Sequence, residues 1–357
     1  MNTKVVKIER EKINDQILLE AARMIREGRL IAFPTETVYG LGANALDPEA
    51  AKKIYAAKGR PSDNPLIAHI AGPEDLPPLV AKIPDTAKRL MDAFWPGPLT
   101  IIFPKSNNVP YETTGGLDTV AVRSPKDCIA QRLIQLAGVP IAAPSANTSG
   151  RPSPTLAEHV YQDMNGKIDM ILDGGAVGIG VESTIIDVSG SVPILLRPGA
   201  VTLEMLEETI GDVELDQAVL GPVSQGQKPK APGMKYRHYA PRAELILVEE
   251  EGTVSDKVIT IIKELTEEKS RQGAKVGIIC TDETVSQYTQ GVIRSLGSRM
   301  REETIAHNLF AVLREFDELE VDYIFSESFP ESHLGQAIRN RLTKAAGYHV
   351  IEVGENK

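Results

Sequence analysis

Apolar residues in the first part of the chain recur with two periods, and together they predict helices that alternate with strands. Between residues 15 and 27 they fall at Ile17, Leu18, Ala21 and Ile25, on one face of a helix that Gly28 would end. Further helices are predicted at 48–58, 126–137 and 202–210, and strands at 30–33, 66–70, 99–103, 119–123, 139–143, 169–172, 184–188 and 194–197. This irregular alternation indicates an α/β fold with a mixed sheet.

The predicted helix at 48–58 carries signals at both of its ends. Asp47 is a typical N-cap residue, and Pro48 suits the first helical position because its missing N–H would have no partner there. Gly59 suits the position after the helix, where the backbone often turns left-handed. We therefore expect Lys58 in the last helical turn and Arg60 just beyond it.

A second pattern begins after Gly211. Residues 212–242 are rich in proline and glycine and have no sustained period, which is typical of a linker. Beyond it we predict strands at 245–248, 275–280, 291–295, 321–326 and 348–352, with helices at 254–270, 301–316 and 334–346. The chain thus divides into a domain at 1–211, a linker at 212–242 and a smaller, doubly wound, Rossmann-like α/β domain at 243–357.

Composition narrows the function classes. The 39 lysines and arginines against 49 acidic residues give a net charge of −10, which disfavours a polybasic nucleic-acid coat. Cys128 and Cys280 form no C-x-x-C pair, which argues against a disulfide scaffold and a cysteine zinc cluster. Because there is no apolar leader and no stretch long enough to span a bilayer, we expect a soluble, cytoplasmic protein without membrane contacts.

Common nucleotide and hydrolase signatures are missing from the sequence. It contains no G-x-x-x-x-G-K-[ST], H-E-x-x-H or G-x-S-x-G, and its histidines lack metal-ligand spacing. Gly40 to Ala45 fits G-x-G-x-x-A, but six residues separate it from the preceding strand and no helix begins before Pro48. Dinucleotide binding needs glycine directly between strand and helix, so we interpret the segment as a turn.

Polar residues at the ends of predicted strands are the candidates for a site, because ligands of open α/β sheets bind there. Thr35, Glu36 and Thr37 follow a strand and could serve a site, although for this segment alone a turn bonded to its own backbone is the better explanation. Lys58 and Arg60 resemble a polyphosphate clamp, but Lys58 also suits the negative end of its helix. Both interpretations stay open at this point.

The strand at 119–123 gives a stronger indication. Thr119 and Arg123 share one face, and an arginine at a strand end suits a carboxylate or phosphate, although an ion pair with a nearby helix is the alternative. His69 would share a face with Ile67, and a lone strand histidine is more often structural than a ligand contact. Small and polar residues at other strand edges complete the candidates: Ala143, Ser145, Asn147, Ser183, Thr184 and Arg197.

These segments together resemble the Sua5/YrdC family in order and spacing. The matching segments are PTETVYGLG at 34–42, KGRPSDNPL at 58–66, FWPGPLT at 94–100, TVAVR at 119–123, APSAN at 143–147, EST at 182–184, LRPG at 196–199 and APGMKYRHYAP at 231–241. The long C-terminal part is similar to the two-domain Sua5 type. The resemblance implies a twisted open α/β sheet with a concave groove in the first domain.

The resemblance also implies an activity. Family members are threonylcarbamoyl-AMP synthases, nucleotidyltransferases that convert L-threonine, bicarbonate and ATP to threonylcarbamoyl-AMP and pyrophosphate. The product passes to the transferase machinery that makes the t6A modification of tRNA, so direct tRNA binding is not required. Mg²⁺ is expected to arrive with ATP through its phosphates, with no metal site of the protein's own and no organic cofactor.

Site residues follow from the matching positions. Lys58, Arg60, Ser145 and Asn147 match the family's K-x-R and S-x-N signature and are the expected catalytic residues. ATP binding is implied for Lys58, Arg60, Asn64, Thr119, Ser145, Asn147, Ser153, Arg197 and the linker residue Tyr236. Threonine binding is implied for Thr37, His69, Arg123, Ala143 and Ser183. We further expect the linker to act as a lid over this site, the alternative being a segment that only docks for stability.

Three other functions stay open on the sequence alone. A carbamoyl-adenylate-forming maturation enzyme carries a similar domain, but the missing C-x-x-C pair counts against it. A double-stranded RNA-binding module is disfavoured by the net charge of −10. A regulatory ligand-binding protein would bind the same small molecules without consuming ATP.

Overall fold

The computed structural model describes residues 2–221, 229–232, 234, 238–250, 255–330 and 333–354. The chain divides into two compact units. The first unit comprises Met1–Ser149 and Ser153–Tyr236, and the second comprises Gly150–Pro152 and Arg237–Lys357. Within the described residues, no helix is both long and apolar enough to cross a membrane.

The first unit alternates helices and strands. Its helices are α1 (Asp15–Arg26), α2 (Pro48–Lys58), α3 (Asp85–Phe94), α4 (Tyr111–Thr114), α5 (Cys128–Ala137), α6 (Ala157–Met164), α7 (Leu203–Ile210) and α8 (Gln217–Leu220). Its strands are β1 (Lys4–Lys7), β2 (Ile31–Phe33), β3 (Gly40–Asn44), β4 (Ile67–His69), β5 (Leu99–Pro104), β6 (Thr119–Arg123), β7 (Ile141–Ala142), β8 (Met170–Asp173), β9 (Thr184–Asp187), β10 (Ile194–Arg197) and β11 (Glu214–Leu215).

The described strands of this unit form one mixed sheet in the order β1-β8-β2-β3-β7-β4-β6-β5-β9-β10-β11. Successive residues of β2 point to opposite faces. Ile31 and Phe33 pack in one apolar cluster with Leu18 of α1, whereas Ala32 packs in another with Ile54 of α2. Apolar layers therefore cover both faces of the sheet, and the predicted α/β class with a mixed sheet is confirmed.

Helix α2 has the boundaries that its signals predicted. The Asp47 side chain accepts a hydrogen bond from the Glu49 N–H at 2.9 Å, and Pro48 is the first helical residue. Gly59 ends the helix with φ 62°, a left-handed conformation that glycine adopts without strain. These ends fix Lys58 in the last helical turn and place Arg60 at the start of the next loop.

The interpretation of Gly40 to Ala45 as a turn is wrong, because Gly40–Asn44 forms strand β3, antiparallel to β2. A Cβ atom on Gly42 would lie 2.6 Å from Cε1 of Phe33 and 2.8 Å from Cγ2 of Ile141. Glycine is needed here for close packing across neighbouring strands, which is the alternative meaning of glycine inside a strand. The turn of this hairpin is instead the preceding segment, residues 34–39.

Several elements lacked a predictive pattern. Strand β1 alternates little and carries lysine at both ends; it lies at the edge of the sheet, paired with β8, and leaves Val5 47% exposed. Helices α3 and α6 were not predicted. Strand β11 and helix α8 fall inside the predicted linker, where the two-residue strand β11 pairs with β10. Short elements of this kind gain their stability from neighbours rather than from their own sequence.

The second unit contains a parallel sheet. Its strands are β12 (Glu244–Glu249), β13 (Val276–Cys280), β14 (Val292–Ser295), β15 (Tyr323–Glu327) and β16 (Val350–Glu352), and its helices are α9 (Asp256–Arg271), α10 (Glu302–Glu318) and α11 (His333–Ala345). The strand order is β14-β13-β15-β12-β16, and every pair is parallel. Val258 of α9 packs with Ile278, whereas a Cβ atom on Gly277 would meet Phe316 of α10 at 2.8 Å. Helices thus cover both faces, as predicted for a doubly wound domain.

The packing at Gly42 leads to a test of stability. We expect Gly42→Ala to lower the free energy of unfolding by about 1–3 kcal/mol, because the added methyl group overpacks the space between Phe33 and Ile141. Chemical denaturation of the full chain measures the effect. Gly190→Ala is the matched control, because a Cβ atom there meets nothing within 4 Å. Equal stability of the two variants would contradict this account of β3.

Candidate functional site

The hairpin loop between β2 and β3 brings three polar residues to one edge of the sheet. The Thr35 hydroxyl donates a hydrogen bond to the Val38 carbonyl at 2.7 Å and accepts one from the Thr37 N–H at 3.2 Å. This is the self-bonded turn that the sequence suggested. Glu36 and Thr37, in contrast, direct their side chains toward Arg123 on strand β6.

Arg123 is the centre of this arrangement. Its side chain is only 4% exposed. Nε donates to the Gly97 carbonyl at 3.2 Å, and Nη1 donates to the Thr37 hydroxyl at 2.9 Å. Nη2 lies 2.7 Å from Oε1 of Glu36 in an ion pair. The expected partner, if the arginine were structural, was a helix, but the observed one is a carboxylate of the hairpin loop.

Glu36 and Arg123 form a close ion pair, but the two contacting atoms lack the angles of a good hydrogen bond. Glu36 Oε1 and Arg123 Nη2 are fully buried, and neither has a hydrogen-bond partner of good geometry among the described residues. Buried polar atoms nearly always find such a partner. The two atoms therefore hold opposite charges in contact and retain capacity for further hydrogen bonds.

Residues beside Arg123 extend the site across three strands. In the sheet, His69 of β4 and Thr100 of β5 lie directly opposite Arg123. The Thr100 hydroxyl is 2.8 Å from the Ser183 hydroxyl, and Ser183 in turn accepts a hydrogen bond from Nη2 of Arg197 at 3.2 Å. Thr37 thus contacts Arg123 and Ser183 contacts Arg197, and the strand pairing of Thr100 with Arg123 connects the two contacts.

His69 is buried and neutral. It shares a face with Ile67, as the period of two predicted, and its Nδ1 lies 3.1 Å from the Ile67 carbonyl oxygen. Burial, and then the positive charge of Arg123, lower the pKa of His69 to about 3. At neutral pH the imidazole therefore adds hydrogen-bonding groups to the site but no charge.

Small residues allow neighbouring backbone segments of the site to pack closely. The Ala143 N–H donates to the Ile67 carbonyl at 2.9 Å. A Cβ atom on Gly40 would lie 3.2 Å from that of Ala143, so the two residues pack closely and a side chain at Gly40 would require a shift of a few tenths of an ångström. Ala143 continues directly into Ser145 and Asn147, which connects the two groups of predicted residues.

The Lys58 ammonium group is buried and bound to backbone oxygens. It donates one hydrogen bond to the Ser145 carbonyl and another, of 2.6 Å, to the Asn147 carbonyl. Lys58 as a whole is 2% exposed. The Ser149 N–H donates back to the Lys58 carbonyl at 2.9 Å. Lys58 therefore fixes the shape of the loop at 143–149 in addition to adding its charge there.

Arg60 organises the neighbouring loop. Its Nε donates to the Asn64 carbonyl at 3.2 Å and its Nη2 to the Pro65 carbonyl at 3.0 Å, and the residue is 8% exposed. The side-chain oxygen of Asn64 is buried without a hydrogen-bond partner among the described residues. This loop accordingly presents a buried cation and an unsatisfied amide oxygen.

Three further predicted residues lie on separate elements or outside the described part. Thr119 begins β6 opposite Pro104 and is partly exposed. Ser153 is buried and donates a hydrogen bond to Glu182. Tyr236 lies outside the described residues.

Three described residues of the linker contact the first unit's sheet. Ala231 and Met234 belong to an apolar cluster with Ile67 and Leu196. The Pro232 carbonyl accepts a hydrogen bond from Nη1 of Arg197 at 3.4 Å. Ala231 and Met234 therefore lie on the sheet face that carries Ile67, and Pro232 lies beside Arg197.

Sequence reasoning did not connect two contributors with Arg123. Glu36 was a candidate only as part of the segment that follows a strand, and Thr100 was not singled out although it belongs to the FWPGPLT segment. Both become recognisable once the sheet places β5 and the hairpin loop beside β6. The feature that identifies them is the position of a carboxylate and a strand hydroxyl beside an arginine in the folded sheet. The linear sequence does not show which strands are neighbours.

Two family models match the chain. Residues 23–199 match the Sua5–YciO–YrdC domain, described as "Telomere recombination". Residues 201–347 match a domain described as "Threonylcarbamoyl-AMP synthase, C-terminal domain". The two matches follow each other along most of the chain.

Full-length relatives are similar to this chain. A threonylcarbamoyl-AMP synthase of Pyrococcus abyssi is 53% identical over 344 residues, which cover 96% of this chain and 98% of that protein. One of Bacillus subtilis is 50% identical over 339 residues, with 95% of each chain covered. The crystal structure of P. abyssi Sua5 complexed with L-threonine matches with a TM-score of 0.92 at 51% identity and covers 99% of this chain and 100% of that one.

The environment of His69 predicts a measurable titration. Since the pKa of His69 in the folded protein, about 3, lies below the ordinary value of 6.5, the unfolded chain binds the proton more readily, and this group favours unfolding as the pH falls from 6.5 to 3. We expect the His69 ring signals in NMR spectra to stay those of a neutral imidazole from pH 8 down to about 5. His69→Gln assigns the signals. A midpoint near 6.5 would show that the ring is not buried beside Arg123.

Proposed function

Because this chain belongs to the Sua5 family of threonylcarbamoyl-AMP synthases, as its motifs indicated, we propose that its first unit joins L-threonine, bicarbonate and ATP into threonylcarbamoyl-AMP and pyrophosphate. The observation that carries the assignment of roles is the buried Arg123 guanidinium, held at the end of β6 with a fully buried Nη2 that lacks a well-directed hydrogen bond. A buried cation of this kind suits the carboxylate of an amino acid.

The threonine subsite forms around Arg123. Two of its five N–H donors make well-directed hydrogen bonds, to Gly97 and Thr37, so donors remain for the substrate carboxylate. The hydroxyl groups of Thr37 and Ser183, the neutral ring of His69 and the backbone at Ala143 surround the same place. A hydroxyl-reading site of this kind rejects valine-like analogues, because they leave a buried polar group unpaired.

The ATP subsite forms from two loops, one at 143–149 and one at 60–65. Lys58 holds the loop that carries Ser145 and Asn147, and Arg60 holds the loop that carries Asn64. Arg197 adds a third positive charge, while Thr119, Ser153 and Tyr236 complete the set implied by the family motifs. Preorganised cations and N–H donors of this kind stabilise the charge that develops on a triphosphate during reaction.

The substrates supply both nucleophiles. The threonine ammonium group loses a proton, and its nitrogen attacks CO2 released from bicarbonate to form a carbamate, with loss of a second proton. A carbamate oxygen then attacks the α-phosphorus of ATP, the bond to the β-phosphate oxygen breaks, and pyrophosphate leaves. The protein mainly orients two anions against each other and neutralises them, so the proposed reaction needs no catalytic triad.

Magnesium enters this scheme with the nucleotide. Among the described residues, no group of three or more His, Cys, Asp or Glu side chains is arranged to hold a metal ion. Mg²⁺ prefers phosphate oxygens and water in nucleotide sites, so ATP itself would carry it. The ion would neutralise phosphate charge alongside Arg60 and Arg197.

The linker is proposed as a lid. Its described residues Ala231 and Met234 pack on the sheet, and Pro232 contacts Arg197. The product is a mixed anhydride that water would hydrolyse, and closing the site slows this loss. The product would then pass to the transferase machinery that completes t6A in tRNA.

The reaction can be tested directly. The full chain is incubated with ATP, Mg²⁺, L-threonine and bicarbonate, and the products are separated by chromatography and mass spectrometry. Threonylcarbamoyl-AMP and pyrophosphate are expected, and both should disappear when threonine or bicarbonate is left out. Formation of ADP and phosphate would contradict an adenylate-forming enzyme.

Arg123→Ala should separate the two subsites. Removing the guanidinium leaves the threonine carboxylate without its buried partner, which costs about 2 kcal/mol or more, so the KM for threonine should rise at least about 30-fold. The KM for ATP should change far less. Steady-state kinetics with each substrate varied in turn measures both. A larger rise in the KM for ATP than in the KM for threonine would reverse the assignment of the two subsites.

Arg60→Ala should lower kcat/KM for ATP by about 100-fold, the usual effect of removing one preorganised charge. The variant also loses the hydrogen bonds to Asn64 and Pro65, so its melting temperature is measured alongside. Lys82→Ala, at an exposed position, is the control for loss of a positive charge alone. A soluble Arg60→Ala protein with full activity would exclude a role for this loop in ATP turnover.

A further inference from the structure

Glu36 is a carboxylate in direct contact with Arg123, and the proposed reaction assigns it no role. Its side chain is 14% exposed, and Oε1 lies 2.7 Å from Arg123 Nη2. Oε2 accepts a hydrogen bond from the Asp127 N–H at 3.4 Å, where helix α5 begins. The group is thus held between an arginine and a helix N-terminus, and its Oε1 remains without a well-directed hydrogen bond.

We propose that Glu36 binds the α-ammonium group of the amino-acid substrate, so that Glu36 and Arg123 together recognise a zwitterion. This inference rests on the proposed function. It assigns a positioning and specificity role to a residue of the hairpin loop, next to the hydroxyl of Thr37.

Charge geometry supports the assignment. An α-amino acid carries one positive and one negative group on the same carbon atom, and the site holds one negative and one positive group in contact. A zwitterion can pair with both charges at once, whereas a plain carboxylate would pair with Arg123 and leave Glu36 buried without a counter-ion. Leaving one charge of a buried pair uncompensated is strongly unfavourable.

The protonation state of Glu36 fits this role. Burial raises its pKa, but the charge of Arg123, their contact and nearby backbone N–H groups outweigh burial and hold the pKa below its ordinary value. Glu36 therefore stays ionised at neutral pH. A permanently negative carboxylate holds an ammonium group well and is a poor acceptor for its proton, so we assign it to binding and orientation.

The buried Oε1 atom of Glu36 and the buried Nη2 atom of Arg123 also support this assignment. Glu36 Oε1 can accept a hydrogen bond and Arg123 Nη2 can donate one, and both atoms are buried without a well-directed partner among the described residues. An ammonium group supplies the missing donor, and a carboxylate supplies the missing acceptor. The same ligand therefore satisfies both.

The test compares two ligands on two proteins. L-Threonine and 3-hydroxybutanoate share a carboxylate and a hydroxyl group, but the second lacks the ammonium group. Isothermal titration calorimetry measures the binding of both to the full-length wild-type protein and to Glu36→Gln, which keeps the shape of the side chain and removes its charge. We expect Glu36→Gln to weaken threonine binding by about 10- to 100-fold. Binding of 3-hydroxybutanoate should stay within about twofold or improve.

Two further variants serve as controls. Glu36→Asp keeps the charge on a shorter side chain and should recover part of the threonine affinity, whereas loss of shape alone would not be recovered. Glu208→Gln changes an exposed carboxylate of α7 in the same unit and should affect neither ligand. Thermal melting of each variant confirms that it is folded, and steady-state kinetics should show a raised KM for threonine with that for ATP unchanged.

Other outcomes overturn the inference. If Glu36→Gln tightens both ligands equally, Glu36 only competes with substrates for Arg123. If it weakens the binding of both ligands equally, Glu36 only holds the Arg123 guanidinium in position. If neither ligand responds, Glu36 has no contact with the substrate. A wild-type protein that binds no threonine in any assay would overturn the proposed function itself, together with this inference.

Discussion

A buried positive charge on strand β6 is the constraint around which the first unit is arranged. An arginine that is 4% exposed is stable only if its donors and its charge are matched nearby. Gly97, Thr37 and Glu36 supply these partners from segments far apart in the sequence. The same requirement keeps the hairpin loop close to β5 and β6, so the position of the loop depends on the partners that Arg123 needs.

Lys58 follows the same principle with different partners. Its ammonium group donates to the backbone carbonyls of Ser145 and Asn147, so that a cation organises the loop to which they belong. Arg60 is likewise bound to carbonyl groups at Asn64 and Pro65. Both cations are thus held by backbone carbonyls, which brings positive charge to these two loops although the net charge of the chain is −10.

How far the sequence predicts this structure depends on where the determining contacts lie. The ends of α2 follow from Asp47, Pro48 and Gly59, because capping is local, and the faces of β4 follow from a period of two. Strand β3 was misread, because the need for glycine at Gly42 comes from Phe33 and Ile141 on neighbouring strands. The residues of the site were indicated by family motifs, yet the contact between Glu36 and Arg123 depends on the sheet's order and had no local signal.

The order of strands in the first unit also bears on how the chain reaches its native state. Strand β6 pairs with β4 and β5, whereas β5 pairs with β9 and β4 with β7, so the neighbours of the site come from distant parts of the chain. Contacts of such long range form late, because much loop entropy is lost before they are made. Until β9 emerges from the ribosome and Ser183 reaches Thr100, the nascent chain lacks part of the proposed amino-acid subsite. Under the proposed function, threonine would then stabilise the finished fold by mass action, which would link substrate supply to the survival of the newly made protein.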